Sequence, residues 1–489
     1  MSAGFFGHPR GLATLFFTEM WERFTYYGMR AVLVLFLVGQ VAHGGFGIDD
    51  KTATAIYGLY TAGTYLFALP GGWIADRLIG ARHAVLAGGI CIAAGNLLLA
   101  VAPSPPLFYV ALLVIVAGIG LLKPNVSAMV ADLYPEGGAR LDAGFTVFYM
   151  GINLGGFLGP LVAGWAGVHF GPRAPFIAAG VLMAAGVVQY VLTQRTLGGA
   201  GLVAPGIRPG ATRPWPAFFA GLTLSVLLIA ACLGGLVPVD PLRLARATLG
   251  IITAVAVLYF GYLFLLAGLS AEEKRRAAVI VVLFLGSVLF WAGYEQAGSS
   301  MNLFAERYTD RTITSLGVTM PTEWLQSLNS LFIILLSPFV AWVWVALGRR
   351  QLNPSAPAKF AIGVMLMGSG FLVMAAASTY VAQGQKVMPT WLALTYLMHT
   401  FGELCLSPVG LSYTTKLAPK RLVGQMMGMW FLSLSIGNIW AGLIAGEFDE
   451  NNVAAMPGLY LHIVYFTVGL GAVLLLLSHP VKKLMGNVE

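Results

Sequence analysis

One apolar stretch near the start of the chain carries polar residues on a single helical face: Glu19, Glu22, Arg23, Tyr26, Tyr27 and Arg30. At about 100° per residue they fall within an arc of roughly 140°. A charge inside a membrane-spanning helix costs roughly 2.5–3.5 kcal/mol, so ionisable residues retained there are candidates for function. The stripe predicts a face that lines a water-filled cavity or contacts other helices. A salt-bridge cluster that only fixes packing is the alternative.

Three further ionisable residues interrupt apolar stretches. Lys123 precedes Pro124, and a lysine beside a proline bend is poorly placed to reach the headgroups. Glu295 lies near the end of a later stretch, and Glu403 lies above Pro408. Cations in the first half and acids in the second can form pairs that open or close a cavity. A carboxyl group that loses such a cation in a low dielectric binds a proton more readily, as a proton-coupled switch requires.

Uncharged polar residues also interrupt the apolar stretches. Asn153 lies among glycines spaced four residues apart, so it is either a site residue or an interhelical hydrogen-bonding group. Asn329, Trp430 and Asn438 punctuate helices of the second half. A separate polar turn follows the second apolar stretch.

That turn contains Asp76, Arg77 and Arg82 among glycines. The acid, the bases and the glycines together predict a tight cytoplasmic turn that can form salt bridges. We interpret it as a conformational latch rather than a binding site.

The composition identifies a membrane protein. The chain has 489 residues, of which 58% are hydrophobic and 10% charged, and its mean hydropathy is +0.81. The net charge of +8 is spread among the loops, which the positive-inside rule explains better than binding to nucleic acid. Three separated cysteines form no metal-ligand spacing, so we interpret them as core residues and expect no metal.

The apolar stretches give the organisation. About fourteen of them, from 13–38 to 458–479, reach the roughly 20 residues that a spanning helix needs. The distribution of lysine and arginine places both termini in the cytoplasm. A Gly/Pro-rich segment at 198–213 begins an insertion that contains two nearly non-polar helices. We therefore predict an all-α polytopic protein with a six-helix bundle over 1–197, a linker and inserted lipid-facing pair over 198–276, and a second six-helix bundle over 277–489. Transporters built from repeated halves have this layout, with the substrate site near the midplane.

Four segments of the chain resemble known signatures. The run Glu19-x-x-Glu22-Arg23-Phe24-x-Tyr26-Tyr27-Gly28 resembles the ExxERFxYYG signature of the proton-dependent oligopeptide transporters, the POT or PTR branch of the major facilitator superfamily. The loop 72–82 resembles the superfamily's loop between helices two and three. Segments 148–155 and 401–408 resemble two further family signatures. The resemblance covers nearly the whole chain, and the inserted helix pair is similar to that of bacterial members.

The resemblance implies a symporter that imports di- and tripeptides by alternating access across a bacterial inner membrane. It implies a monomer in the lipid bilayer, driven by the proton gradient without a cofactor. The implied substrate-binding residues are Arg23, Tyr26, Tyr27, Arg30, Tyr65, Lys123, Asn153, Trp291, Glu295, Asn329, Glu403, Ser407 and Trp430. The implied proton-coupling residues are Glu19, Glu22, Arg23, Arg30, Lys123 and Glu295. Mammalian members carry a proton-linked histidine in helix two that this chain lacks, so coupling here is expected to depend on carboxylates.

Two alternatives remain open on the sequence. The same fold can carry another small solute, such as a peptide-like drug or nitrate, although a small anion needs no acid such as Glu403. A membrane-embedded enzyme is the second alternative, but the histidines are scattered and no HExxH or GxxxxGK[ST] motif occurs.

We further hypothesise that Arg30 and Glu295 form an ion pair that closes the extracellular entrance of the cavity.

Overall fold

Helices make up almost all of the computed structural model, which describes residues 4–202, 214–313, 317–448 and 452–486. In the first part of the chain the helices are α1 (Arg10–Val38), α2 (Asp50–Leu66), α3 (Ala68–Ile74), α4 (Ala81–Val101), α5 (Pro105–Asp132), α6 (Gly138–Phe170), α7 (Ala174–Thr193), α8 (Trp215–Leu233) and α9 (Pro241–Leu265). In the second part they are α10 (Ala271–Tyr294), α11 (Ser300–Tyr308), α12 (Ser327–Arg349), α13 (Ala356–Ala382), α14 (Thr390–Leu417), α15 (Val423–Ala445), α16 (Met456–Leu476) and α17 (Ser478–Leu484).

The chain forms two compact units. The first unit takes in Met1–Gly47 and Gly63–Asp240, and the second takes in Ile48–Ala62 and Pro241–Glu489. The first half of α2 therefore groups with the second unit, and the predicted inserted pair is divided, with α8 in the first unit and α9 in the second. Residues 203–213 of the predicted linker lie outside the described residues. The three-part division at 198 and 277 stays a prediction.

Glycines bring α1 and α6 together in the first unit. A methyl group added to Gly155 would collide with the carbonyl oxygen of Met20, and one added to Gly159 would collide with that of Phe24. A methyl group added to Gly151 would lie 3.0 Å from the carbonyl oxygen of Phe16. Small residues spaced four apart thus allow the two backbones to approach closely, as the small-xxx-small pattern predicted.

The first unit contains a second close approach, between α3 and α5. A methyl group added to Gly71 would collide with the carbonyl oxygen of Gly120. Pro124 lies inside α5, and the neighbouring Asn125 donates to the carbonyl oxygen of Leu121 over 2.7 Å. Because proline lacks an N–H group and obstructs the preceding turn, the helix here relies on side-chain hydrogen bonds and packing against α3.

In the second unit, α13 packs against α14 and α16, and α10 packs against α15. The helix α10 ends at Tyr294, and a 3-10 turn over Glu295–Gly298 leads to α11. A short antiparallel pair, β1 (Thr312–Ile313) and β2 (Val318–Thr319), follows α11, with Thr312 opposite Thr319. The interruption before α11 places Glu295 at a helix break rather than inside a continuous helix.

Eleven helical segments of the described chain are long and apolar enough to cross a membrane. The helices α1, α2 and α14 are not among the eleven. The helix α1 carries four charged residues within its apolar stretch, and α2 has only 17 residues. The polytopic all-α prediction is therefore confirmed, whereas the count of fourteen spans is not. Of the described residues, α8 contains none that is buried and α9 contains four.

We expect Gly155→Ala to lower the thermal stability of the protein. The added methyl group meets the backbone of α1, which cannot move aside as a side chain can, and overpacking of this kind typically costs about 1–3 kcal/mol. Thermal unfolding in detergent measures the change. Gly221→Ala in α8 is the matched control, because no atom lies within 4 Å of the added methyl group. Equal unfolding temperatures for Gly155→Ala and the unmodified protein would contradict the close α1–α6 contact.

Candidate functional site

A buried ion cluster lies on one face of α1. The guanidinium group of Arg23 contacts both neighbouring acids. Its Nη2 donates to Glu22 Oε1 over 2.6 Å, and its Nε donates to Glu22 Oε2. The same Nε lies 3.3 Å from Glu19 Oε1. Glu22 is 0% exposed, and Glu19 and Arg23 are 2% and 4% exposed. Burying one of these charges alone would cost several kcal/mol, so the three charges depend on one another. The spacing i, i+3, i+4 on a helix makes the cluster possible.

The three cations implied to bind substrate in the first unit each lie over a tyrosine ring. Arg23 Cζ lies 4.9 Å from the ring centroid of Tyr26, and Arg30 Cζ lies 5.6 Å from that of Tyr27. Lys123 Nζ lies 4.3 Å from the ring centroid of Tyr65. Cation–π contacts contribute about 0.5–2 kcal/mol and leave the tyrosine hydroxyl available for hydrogen bonds. In each of these three pairs, the tyrosine ring replaces part of the water that would otherwise surround the cation.

The helix α5 brings Lys123 to the ion cluster. The helices α1 and α5 are in contact, and Lys123 interacts electrostatically with Glu19. Asn153, on α6, donates from Nδ2 to the carbonyl oxygen of Tyr149 over 3.0 Å. The structure thus joins Lys123 to the acids of α1, and it gives Asn153 a hydrogen bond within its own helix.

A hydrogen-bonded network surrounds Glu403 in the second unit. Asn329 Nδ2 donates to Glu403 Oε2 over 3.2 Å and to Thr400 Oγ1 over 3.0 Å. The hydroxyl group of Tyr294 donates to Asn329 Oδ1 over 2.9 Å. Both Asn329 and Glu403 are buried. The network joins α10, α12 and α14 around one carboxylate.

Glu295 is bound separately, at the break between α10 and α11. The hydroxyl group of Tyr57, on the first half of α2, donates to Glu295 Oε2 over 2.6 Å. Two turns of α2 earlier, Asp50 accepts two hydrogen bonds from Arg307, at 2.6 and 2.9 Å. The first half of α2 is therefore fixed to the second unit at both ends by polar contacts.

The remaining predicted pocket residues line helices of the second unit. Trp291 packs edge-on against Tyr294, with ring centroids 5.0 Å apart. The indole ring of Trp430 packs against the backbone of Gly410 on α14, and it is 6% exposed. Ser407 is half-buried one turn after Glu403, and its hydroxyl group has no hydrogen-bond partner among the described residues.

Sequence reasoning missed three members of these networks: Tyr57, Tyr294 and Thr400. Each is uncharged and lies in an apolar helix, where tyrosine and threonine are common for packing reasons. The adjacency of Tyr294 to Glu295 was an available signal. The role of Tyr57 depends on the contact of α2 with the 3-10 turn over Glu295–Gly298, which no local pattern indicates.

The family model for the POT family, PTR2, matches residues 82–199 and 249–459. The chain belongs to the POT family. The resemblance inferred from the sequence is thus confirmed, and this POT protein is a transporter rather than an enzyme. Among the described residues there is no group of three or more His, Cys, Asp or Glu side chains that could hold a metal ion.

Curated relatives and solved structures match this POT chain over nearly its full length. It is 40% identical to the peptide transporter YePEPT of Yersinia enterocolitica subsp. palearctica, covering 99% of this chain and 97% of that one. It is 36% identical to a di-/tripeptide transporter of Lactococcus lactis subsp. cremoris, covering 99% and 98%. A crystal structure of a peptide transporter POT in complex with sulfate superposes with a TM-score of 0.91 at 39% identity, covering 99% and 97%. The fold is therefore that of POT transporters.

The predicted latch of this POT protein lies at the turn before α4. Asp76 and Arg77 lie in a π-helical turn over Ala75–Ile79. Arg82 Nη2 donates to the carbonyl oxygens of Gly198 and Ala200, at 2.8 and 2.9 Å. The start of the predicted linker is thus attached to the first unit through Arg82. The latch function itself stays a prediction.

We expect Arg82→Gln to expose the segment that follows α7 to protease. Glutamine cannot reach both carbonyl oxygens as the guanidinium group does, so the segment 198–201 loses two charge-assisted hydrogen bonds. Trypsin should then cut faster after the exposed Arg195, which mass spectrometry of the fragments detects. Arg77→Gln is the control from the same turn. Equal cutting rates for the two variants would contradict the anchoring role of Arg82.

Proposed function

We propose that this protein is a proton-coupled symporter that imports di- and tripeptides by alternating access. Its relatives are named as a peptide transporter and as di-/tripeptide transporters and permeases. The observation that carries the proposal is the presence of both charges: a buried carboxylate, Glu403, held by Asn329 in the second unit, and a set of cations in the first, of which Arg23 and Arg30 are buried. A peptide zwitterion needs both.

The substrate roles follow from charge. The carboxylate of the peptide would bind Arg23, Arg30 and Lys123. Its ammonium group would bind Glu403, with Asn153 and Asn329 supplying amide groups. The side chains of the peptide would contact residues that offer either a large aromatic surface or a single polar group such as a hydroxyl. These are Tyr26, Tyr27, Tyr65, Trp291, Ser407 and Trp430.

The coupling roles follow from buried carboxylates beside cations. Glu19 and Glu22 share Arg23, and Lys123 interacts with Glu19. When a cation turns to the carboxylate of a peptide, the acid it leaves binds a proton more readily, so peptide and proton binding are linked. We assign Glu295 to the same process, with Arg30 as the proposed partner that closes the outer mouth.

The proposal includes a topology. The helices α1, α2 with α3, and α14 would join the eleven apolar segments, so the chain crosses a bacterial inner membrane fourteen times as a monomer with both termini in the cytoplasm. The inserted pair faces lipid in this scheme. The latch role of Asp76, Arg77 and Arg82 belongs to it as well.

The test of this function is uptake of labelled dialanine into proteoliposomes under an imposed proton gradient. Accumulation that requires the gradient is the expected result. The rival solute nitrate offers no cationic group for Glu403, and its failure to compete with dialanine is expected for the same reason. Dialanine uptake that does not depend on the proton gradient, or competition of nitrate with dialanine, would contradict the proposal.

We expect Glu403→Gln to abolish uptake of peptides with free amino termini. The substitution keeps the shape of the side chain but removes the charge that pairs with the ammonium group, and breaking a buried pair typically costs about 3–5 kcal/mol. Uptake of dialanine measures the effect. Glu447→Gln makes the same change at an exposed residue and should transport normally. Wild-type affinity in Glu403→Gln would refute the assigned role.

We expect Lys123→Ala to eliminate concentrative uptake driven by protons. Without the lysine, the acids of α1 lose a proposed cation partner, so the exchange of protons by the cluster should no longer be linked to transport. The pH profile of uptake should become flat. Lys386→Ala, at an exposed position, is the control. A normal pH-dependent profile in Lys123→Ala would show that this cluster does not couple protons to transport.

A further inference from the structure

A buried asparagine in α15 is a polar group of the second unit that the proposed site does not use. Asn438 is 0% exposed, and neither its amide nitrogen nor its amide oxygen has a hydrogen-bond partner among the described residues. Each buried polar group without a partner costs about 1–3 kcal/mol. Buried polar groups in native proteins are bonded to protein or to ordered water, so an amide with both atoms unsatisfied indicates an occupant.

Asn438 lies in the seam where the first half of α2 packs against α15. Glycines set the width of this seam: a methyl group added to Gly58 would lie 3.0 Å from the carbonyl oxygen of Asn438 and 3.2 Å from Gly442 Cα. One turn away on α15, Ser435 donates to the carbonyl oxygen of Ala62 over 3.2 Å. The backbones thus approach closely, and the seam admits only a small occupant.

Glu295 and Gln296 make hydrogen bonds at the same seam. Tyr57, on the first half of α2, donates to Glu295 Oε2 over 2.6 Å. Gln296 donates to the carbonyl oxygen of Ala441, which lies three residues after Asn438, over 3.0 Å. The helix break that carries Glu295 is therefore attached both to α2 and to the part of α15 that carries Asn438.

A second unsatisfied donor lies on α10, which packs against α15. The indole N–H group of Trp291 has no hydrogen-bond partner among the described residues, and a methyl group added to Gly437 would lie 2.8 Å from Trp291 Cβ. The amide of Asn438 offers two N–H donors and one acceptor, whereas the indole offers a donor only. The occupant must therefore both accept and donate hydrogen bonds. Water does both, and a buried water typically makes about three hydrogen bonds.

We propose that Asn438 binds ordered water in this seam and that this water carries protons to and from Glu295. The inference rests on the proposed function, because Glu295 must exchange a proton during transport. Glu295 is 2% exposed, so a proton reaches it only through hydrogen-bonded groups. In the uptake step a hydronium ion gives one proton to the carboxylate, which leaves water and a neutral carboxyl group.

Asn438 is in this scheme a positioning residue, since it holds the water and does not itself exchange protons. The helix α15 contains no titratable side chain. On the elements packed around the seam, the second unit contributes Asp50, Lys51, Tyr57 and Tyr60 on α2, Tyr294 on α10 and Arg307 on α11.

The test separates stability from proton coupling. Asn438→Leu replaces the amide with an apolar group of similar size, and Asn96→Leu is the control, because Asn96 on α4 is also 0% exposed. We expect Asn438→Leu to unfold at the same temperature as the wild type or a higher one. Accumulation of dialanine driven by protons should fall about tenfold or more. Counterflow, which needs no net proton movement, should stay near the wild-type rate, and Asn96→Leu should keep both activities.

A high-resolution structure of the wild-type protein without peptide provides the second measurement. Density for water on the amide of Asn438 is expected, and it decides the question even if Asn438→Leu does not fold. The absence of that density, or equal accumulation by Asn438→Leu and the wild type, would overturn the proposal. A wild-type protein that does not accumulate dialanine would instead contradict the proposed function.

Discussion

The burial of charge on α1 is the constraint that the first unit must satisfy. Arg23 is nearly inaccessible, so its charge is stable only while Glu19 and Glu22 stay beside it. Those acids stay dry because α6 lies close against α1, which the glycines at 151, 155 and 159 permit. The stability of the ion cluster therefore depends on the packing of α6. A larger residue at one of these glycines would separate the two helices and admit lipid or water to the charges.

In the second unit, hydrogen bonds position the carboxylate of Glu403, which we propose to bind the ammonium group of the peptide. The hydroxyl group of Tyr294 donates to Asn329 Oδ1, so the amide can present only its nitrogen to Glu403 and Thr400. Tyr294 thereby sets the orientation of Asn329, and Asn329 sets the position of Glu403. A change at Tyr294 is therefore transmitted to the carboxylate through two hydrogen bonds.

The sequence was sufficient to propose the charged part of the site, because a charge in an apolar stretch is rare and visible. Arg23, Lys123 and Glu403 became candidates this way. The small-xxx-small face of α6 predicted close helix packing but did not indicate that α1 is the partner. Tyr57 and Thr400 were not found, because uncharged polar residues are common in helices and their roles depend on tertiary contacts. The number of spans could not be confirmed. A span is recognised by the mean hydropathy of its helix, and the charged residues on α1 that indicate function also lower the mean hydropathy of α1.

Several polar atoms without hydrogen-bond partners in the described structure belong to residues assigned to transport. Glu19 Oε2, the hydroxyl group of Ser407 and the indole nitrogen of Trp291 are buried in this way, and so are both amide atoms of Asn438. Each such atom costs stability, so packing alone does not explain why it is retained. A transporter must bind and release peptide, proton and water in every cycle, and a permanent protein partner would compete with each of them. In the proposed function, these four groups are where stability is given up so that an occupant can exchange.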